Sequence, residues 1–405
     1  MLTTFSKSAL TVLVIAFAGV VLLDPGDNIL HLKLPLLILV VSVWVVRVVC
    51  GVATPGSLRT CACVLFFALI LPATASLISL MGDTLPVGEP LKFQLIKEFS
   101  VILIIPVVIS EGIDLIMPIL RWSIIIALLT LSLATLHLVA PPLFAVAQGL
   151  AVESGNAIIR NRAELGLGIG SFYYKTASVL VFPIAYHLRD LLNGQRTLRS
   201  TILMLLFIAA VLCTDSRAIL IAVFIVAVWF ATQKLKLTIG WTPALFALLV
   251  MVALPAGYFA AFFHPNELSN AAKLGHIRSY AALFNDHPTY LLWGQGADTE
   301  FYTEGFGDKA ALTELSYLDL IRWFGIPLAA LIMGAVVYPI FTIVQRGDAT
   351  SLYLIVPYIA YLWEAASNPL LVCSFGALVV SAMWQAAVRY NFRTCDAVQG
   401  SLCIE

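Results

Sequence analysis

Hydrophobic residues in this chain run in long stretches and do not alternate with polar residues. About 12 of these stretches approach the ~20 residues that a membrane-spanning helix needs. The pattern predicts an all-α, polytopic integral membrane protein, because lipid offers no hydrogen-bonding partner to a backbone outside a helix or a closed barrel. The predicted spans are residues 8–23, 33–50, 60–81, 98–119, 122–147, 171–188, 200–214, 217–232, 241–262, 312–342, 351–366 and 369–388.

Composition supports this class. Of the 405 residues, 61% are hydrophobic and only 11% are charged, which excludes an ordinary soluble domain. The 23 basic and 23 acidic residues cancel, so net charge gives no reason to expect a nucleic acid partner. The seven cysteines are scattered without metal-ligand spacing, and we expect neither a metal site nor a disulfide framework, and no cofactor.

The distribution of Lys and Arg predicts the orientation of the spans. With a cytoplasmic N-terminus, basic loop residues such as Arg59, Arg121 and Arg189 fall on the cytoplasmic side, as does the C-terminus. The external segments are then 148–170, the turn 214–217 and a large loop, 263–311. The predicted organisation is N-terminal transmembrane helices in 1–150, central helices with the external turn in 151–262, the loop in 263–311, and C-terminal helices with a tail in 312–405.

Some basic residues remain on the predicted external side, where such residues are disfavoured. They are Arg160, Arg162, Arg217, Lys273 and Arg278. In LCTDSRAIL, residues 212–220, Arg217 opens an apolar run, and an unpaired guanidinium drawn to the bilayer centre costs at least ~2.5 kcal/mol. Arg217 therefore pairs with Asp215, extends to the interface, or belongs to an anion site that faces the outer leaflet.

The large loop combines basic and aromatic residues. Residues 270–301, NAAKLGHIRSYAALFNDHPTYLLWGQGADTEF, begin as a predicted helix that carries Lys273, His276, Arg278 and Tyr280. Aromatic rings and arginine forks together suit sugars and phosphates. The alternatives are an interfacial helix with an aromatic belt and a histidine that is merely solvated.

Ionisable residues also occur at the start of the span that follows the loop. Glu314 lies where this span enters the membrane from outside, and Arg322 follows eight residues later on nearly the same helix face. Ionisable residues inside a membrane are functional candidates. Alternatively, Glu314 compensates the helix dipole, and Arg322 pairs with Asp319 or with Glu364.

Five motifs occur in the order typical of one family. They are RAELGLGIGSFYYKTASVL, CTDSRAILIAV, HIRSYAALFNDHPTYLLWGQG, ELSYLDLIRWFGIPLA and SNPLL. Over roughly residues 155–375 the chain resembles the O-antigen polymerase and ligase superfamily of bacterial membrane glycosyltransferases. The resemblance implies a GT-C-like fold in the inner membrane with a periplasmic active site. It also implies inverting, metal-independent transfer of an oligosaccharide from undecaprenyl diphosphate, with Arg217 and Arg278 on the donor diphosphate.

The resemblance also bears on the acceptor. Ligases of the superfamily show a His, often followed by Asn, where this chain has Glu314 and Leu315, which favours a Wzy-type polymerase of lipid-linked repeat units over a ligase. A transporter with basic residues along an anionic path is the non-enzymatic alternative. Implied partners are the lipid-linked donor and acceptor, the bilayer, a chain-length regulator and a flippase. The predicted catalytic residues are Glu314, a proton-accepting base, with Arg217 and Arg278; the predicted substrate contacts are Arg162, Lys273, Tyr280, His276 and Arg322.

Overall fold

The computed structural model describes residues 7–53, 58–81, 94–160, 171–192, 194, 198–214, 216–234, 268–297, 299–347 and 349–402. Over these residues the protein is mostly helical, with two short β-hairpins, in agreement with an all-α class. Within the described ranges, three helices are long and apolar enough to cross a membrane: Thr60–Ser79, Ile116–Val139 and Ser316–Arg346. The count of about 12 spans stays a prediction.

The first half of the chain forms helices and one hairpin. The helices are α1 (Lys7–Leu23), α2 (Lys33–Val49), α3 (Leu58–Leu65), a π-helical turn (Phe66–Ile70), α4 (Leu71–Met81), α5 (Gln94–Phe99), a 3₁₀ turn (Ser100–Leu103), α6 (Ile104–Glu111), α7 (Ile116–Val139) and α8 (Pro141–Glu153). Strands β1 (Ala157–Arg160) and β2 (Ser171–Tyr174) pair antiparallel, with Ala157 opposite Tyr174.

The second half adds a longer series of helices and another hairpin. Its elements are a 3₁₀ turn (Lys175–Leu180), α9 (Val181–Leu192), α10 (Leu198–Cys213), α11 (Arg217–Lys234), α12 (Leu268–Asp286), α13 (Tyr290–Trp293), β3 (Phe301–Thr303), β4 (Asp308–Ala310), α14 (Ser316–Arg346), α15 (Ala349–Ala365) and α16 (Ser374–Leu402). Strands β3 and β4 pair antiparallel. The predicted span 241–262 lies outside the described residues.

Two predicted spans are interrupted by non-helical residues. The span 98–119 ends as a helix at Glu111, because Gly112 takes the left-handed conformation with φ of 63°. On α16, the Gln385 side chain donates to the Ile113 carbonyl and accepts from the Leu115 amide, so the interruption keeps its hydrogen bonds. The span 122–147 divides at Ala140, since a residue before proline disfavours the helical conformation.

The predicted start of the helical span 171–188 was also wrong. Helix α8 continues to Glu153 inside the predicted external segment 148–170. The predicted span 171–188 begins as strand β2 and a 3₁₀ turn, and its α-helix starts only at Val181. The sequence pattern missed this because Tyr173 and Tyr174 are aromatic and buried, although the β1–β2 ladder holds their backbone extended.

The core of the bundle is built from fully buried side chains of several helices. Phe17 of α1, Phe207 of α10 and Tyr358 of α15 are buried at this centre. A β-carbon at Gly19 would collide with the Trp122 ring, so glycine lets α1 and α7 approach closely at this position. Close approach through small residues is typical of helices that pack in lipid.

Helix α14 breaks at Gly325, inside the predicted span 312–342. Gly325 has φ of 73° and ψ of 165°, a conformation essentially restricted to glycine. The break separates residues 316–324 from the apolar remainder of α14. A β-carbon at Gly325 would meet the Leu292 carbonyl oxygen, and one at Gly294 would meet the Trp323 carbonyl oxygen. The end of α13 and the break in α14 are therefore held against each other through glycines.

We expect Gly325→Ala to destabilise the protein by about 1–3 kcal/mol, because alanine strains this backbone and its β-carbon has no room. The melting temperature of the purified protein in one detergent measures the effect. Gly334→Ala is the matched control: Gly334 lies in the same helix with open space around it, and alanine there should keep or raise stability. Equal losses in both variants would contradict this account of the break.

Candidate functional site

A small cavity of about 80 Å³ lies where the N-terminus of α11, the start of α12 and the C-terminus of α15 meet. Two basic side chains line it, Arg217 and Lys273. Its hydroxyl and amide side chains are Ser216, Ser269, Asn270, Ser367 and Asn368. Two cations and several hydrogen-bonding groups around one opening suit an anionic ligand with many oxygens.

Arg217 enters this cavity because it is the first residue of α11. The turn before it is stabilised by Thr214, whose hydroxyl donates to the Val211 carbonyl oxygen (2.7 Å) and accepts from the Ser216 amide (3.3 Å). The hydroxyl of Ser216 is buried and has no hydrogen-bond partner among the described residues. The N-terminus of α11 adds its partial positive charge to that of the guanidinium. Asp215, the predicted alternative partner, lies outside the described residues.

Glu314 is not among the lining residues of the cavity, but its side chain lies beside Lys273, which is. The Lys273 ammonium lies 3.9 Å from the Glu314 carboxylate, and both side chains are partly exposed. Oxygen Oε2 of Glu314 is buried and makes no hydrogen bond within the described part of the chain. Glu314 lies in the non-helical segment just before α14 begins at Ser316. The Glu314 carboxylate therefore lies next to Lys273, one of the two basic residues that line the cavity.

The structure does not bring Arg278 into this cavity. Its guanidinium lies 3.9 Å from the carboxylate of Glu304, and its side chain is 73% exposed. Arg278 follows Lys273 by five residues on α12, a rotation of about 140° around the helix axis. Arg217 is therefore accompanied at the cavity by Lys273, and the predicted convergence with Arg278 is not found.

Arg322, predicted to contact substrate, is fully buried in the protein instead. It forms an ion pair with Asp319 at 3.3 Å. Its guanidinium also donates to the carbonyl oxygens of Thr299 (2.6 Å) and Ala311, and to Gln295 Oε1 (3.1 Å). Of the predicted alternatives, pairing with Asp319 is confirmed. The contacts of Arg322 hold the segments around Thr299 and Ala311 against α14.

Tyr280 belongs to the same buried network. Its hydroxyl donates to Asp319 Oδ1 at 2.6 Å and lies 3.0 Å from the Thr313 hydroxyl. The other oxygen of Asp319 accepts from the amide (3.0 Å) and the hydroxyl (2.9 Å) of Thr313. Burial and the Asp319 charge raise the pKa of Tyr280 far above its usual value. Tyr280 is therefore part of the buried network that holds the loop, whereas the sequence predicted that it contacts the substrate.

His276 is neither exposed nor at the cavity. It is fully buried, and its Nδ1 lies 2.5 Å from the Thr303 hydroxyl of β3. The Phe306 ring packs edge-on against the imidazole. Burial lowers the pKa of His276, and the Glu314 charge opposes this shift. His276 anchors the β3–β4 hairpin on α12.

Arg162, the remaining predicted contact, lies outside the described residues. Over the part of the chain that the structure describes, no three His, Cys, Asp or Glu side chains lie together as metal ligands would. Sequence reasoning missed the amides of Asn270 and Asn368 at the cavity. Asn368 belongs to the SNPLL motif together with Ser367. An uncharged amide in so short a motif cannot be distinguished by sequence from an ordinary loop residue.

Comparison of the sequence with protein-family models gives no match, and comparison with curated proteins gives none. The resemblance to the O-antigen polymerase and ligase superfamily stays a prediction that depends on the motifs alone.

We expect Asp319→Ala to destabilise the protein by about 3–5 kcal/mol, because it leaves the Arg322 charge buried without its partner. Glu304→Ala is the control, since it removes an exposed ion pair that contributes about 0–1 kcal/mol. Thermal unfolding of both variants in the same detergent measures the difference. Similar melting temperatures would show that the buried network does not hold the loop.

Proposed function

We propose that the chain is a membrane glycosyltransferase that polymerises oligosaccharide repeat units linked to undecaprenyl diphosphate. The observation that carries the proposal is that Arg217 and Lys273 flank one cavity, with the Glu314 carboxylate 3.9 Å from the Lys273 ammonium. The motif order favours the same function. In this proposal Arg217 and Lys273 bind the donor diphosphate, and Glu314 acts on the acceptor.

The proposed reaction uses each charge in a defined step. An acceptor hydroxyl attacks the anomeric carbon of the donor sugar, from the face opposite the diphosphate, and the bond from that carbon to the phosphate oxygen breaks. The configuration inverts, and the bonding pair leaves with the lipid diphosphate. Arg217 and Lys273 stabilise this developing negative charge. Glu314 accepts the hydroxyl proton, a contribution of typically ~10²–10⁴-fold.

The position of the cavity agrees with a lipid-linked substrate. It lies at the ends of α11 and α15, with Ile221 and Trp363 in its lining. Polar groups from the loop therefore meet apolar groups from the helices, as a ligand with a charged head and a hydrocarbon tail requires. We place this cavity at the periplasmic face of a bacterial inner membrane, following the orientation that Lys and Arg predict.

The acceptor decides between polymerase and ligase. We favour the polymerase, in which both substrates are lipid-linked, because Glu314 stands where ligases of the superfamily show histidine. Proteoliposomes with two separately labelled pools of lipid-linked repeat units test this choice. Chain growth that joins both labels without another acceptor supports the polymerase. Transport of either lipid without release of undecaprenyl diphosphate would overturn the enzymatic proposal.

We expect Arg217→Ala to slow polymer formation by ~10²–10³-fold, the usual loss when a donor to a developing negative charge is removed. Arg217→Lys should also lose most activity, because an ammonium cannot reproduce two parallel hydrogen bonds. Release of lipid diphosphate from labelled donor is the measurement. Arg199→Ala, an exposed arginine in the first turn of α10, is the matched control and should retain activity.

The same assay with Arg278→Ala decides between two predictions for Arg278: the family resemblance makes it a donor contact, whereas its position in the structure does not. A donor contact would make this variant as inactive as Arg217→Ala, whereas a side chain that is 73% exposed and paired with Glu304 predicts retained activity. Full activity in Arg217→Ala together with loss in Arg278→Ala would refute the cavity as the donor site.

Glu314→Gln should fold normally and lose ~10²–10⁴-fold in rate, because the amide cannot accept the acceptor proton. Glu300→Gln, an exposed residue of the same loop, is the control. Lys273→Met should lose donor binding, and Lys273→Arg should recover part of it by restoring a cation. Near-normal polymer length in Glu314→Gln would eliminate this carboxylate as the base.

A further inference from the structure

The short helix α13 presents large apolar side chains on the protein surface. Trp293 is 71% exposed and Leu292 is 58% exposed, although each is large enough to contribute strongly to a core. Exposed apolar groups of this size that lie side by side mark a site of interaction. The question is whether lipid or another protein covers them.

The backbone next to Trp293 is fixed to α14 at its break. The Gln295 amide donates to the Arg322 carbonyl oxygen at 2.6 Å. Gly294 and Gly325 allow the two backbones to approach so closely that a β-carbon on either would collide with a carbonyl group of the other segment. Helix α13 therefore stays beside the point where the apolar part of α14 begins.

The following residues are fixed to a second apolar helix. The Ala297 amide donates to the Ala75 carbonyl oxygen at 3.0 Å. A β-carbon at Gly296 would collide with the Ser79 backbone. Ser79 is the last residue of Thr60–Ser79, one of the helices long and apolar enough to cross a membrane. Residues 294–297 thus lie at the end of one candidate span and at the start of the apolar part of another.

The exposed surface of α13 continues onto α14. Directly after the break, Ile326 is 49% exposed, and Ala330 one turn further on is also exposed. Helix Ser316–Arg346 is itself one of the candidate spans, so these side chains face lipid if it crosses the membrane. Tryptophan is enriched at the boundary between lipid and water, where its ring lies among the headgroups.

We propose that Leu292 and Trp293 of α13 insert into the outer surface of the lipid bilayer and anchor the loop that carries Lys273 and Glu314. The proposal needs only that the protein resides in a membrane, and it stands independently of glycosyl transfer. Its consequence is positional. A loop anchored at the headgroups keeps its cation and its acid at the level at which a lipid headgroup arrives.

Tryptophan quenching in proteoliposomes tests the proposal. The Trp293 signal is the difference between the parent protein and Trp293→Phe, a change that keeps an aromatic ring. We expect brominated phosphatidylcholine to quench this signal and aqueous iodide to leave most of it. Bromine near the glycerol end of the acyl chain should quench more strongly than bromine near the chain end, since α13 lies at the surface.

A matched control places tryptophan on the same loop away from α13. Tyr302 of β3 is 59% exposed, and Tyr302→Trp in the Trp293→Phe background should respond to iodide and not to brominated lipid. Leu292→Trp in that background is a second reporter, and it should respond to brominated lipid. If one of the other variants folds poorly, this second reporter still tests whether α13 contacts lipid.

Three results would overturn the proposal. Quenching of Trp293 by iodide and not by brominated lipid would place α13 in water. Quenching by neither would mean that protein covers it, either a second copy of this chain or another partner. Equal quenching of the Tyr302→Trp reporter by brominated lipid would mean that the whole loop lies on the bilayer and that α13 has no special role.

Discussion

The buried ion pair of Asp319 and Arg322 holds the segments that carry α12, α13 and the β3–β4 hairpin on α14, and the position of the candidate site depends on it. Removing two charges from water costs more than their attraction returns unless further hydrogen bonds complete the network. Both charges have such bonds here: Tyr280 and Thr313 donate to the carboxylate, and Thr299 and Ala311 accept from the guanidinium. These partners come from α12, the segment after α13 and the segment before α14, so one network fixes all three.

This network explains why α12 presents different residues to different surroundings. Its Tyr280 and His276 face the loop interior, where Asp319 and Thr303 hold them. Lys273, earlier on the helix, lies at the cavity beside Arg217. Because one face of α12 is held by these contacts, the helix cannot rotate about its axis. This fixed orientation places Lys273 at the cavity. The same rotation leaves Arg278 in solvent.

Sequence reasoning found the helical class and part of the site, and its errors have physical causes. Hydropathy sums apolar content, so it cannot detect a single left-handed glycine such as Gly325, or the start of a new helix at Pro141. Charge on the predicted external side singled out Arg217 and Lys273, which line the cavity, but also Arg278, which does not. Arg322 was a candidate because it lies inside a predicted span, and sequence could not decide its role, because a buried charge that faces a ligand and one that faces another side chain look alike in sequence.

The ion pair of Lys273 and Glu314 gives the cavity a resting state in the proposed reaction. Without a ligand, the carboxylate compensates the ammonium at 3.9 Å, a separation that permits Coulombic attraction without a short hydrogen bond. A diphosphate that enters beside Arg217 competes for Lys273, because a dianionic group with several acceptor oxygens offers more to an ammonium than one carboxylate does. In this proposal the Glu314 carboxylate then gives up the Lys273 ammonium to the donor and turns to the acceptor hydroxyl. The proposed donor binding and proton transfer would thereby be coupled through one lysine, with a flexible cation at position 273 and a rigid, forked one at position 217.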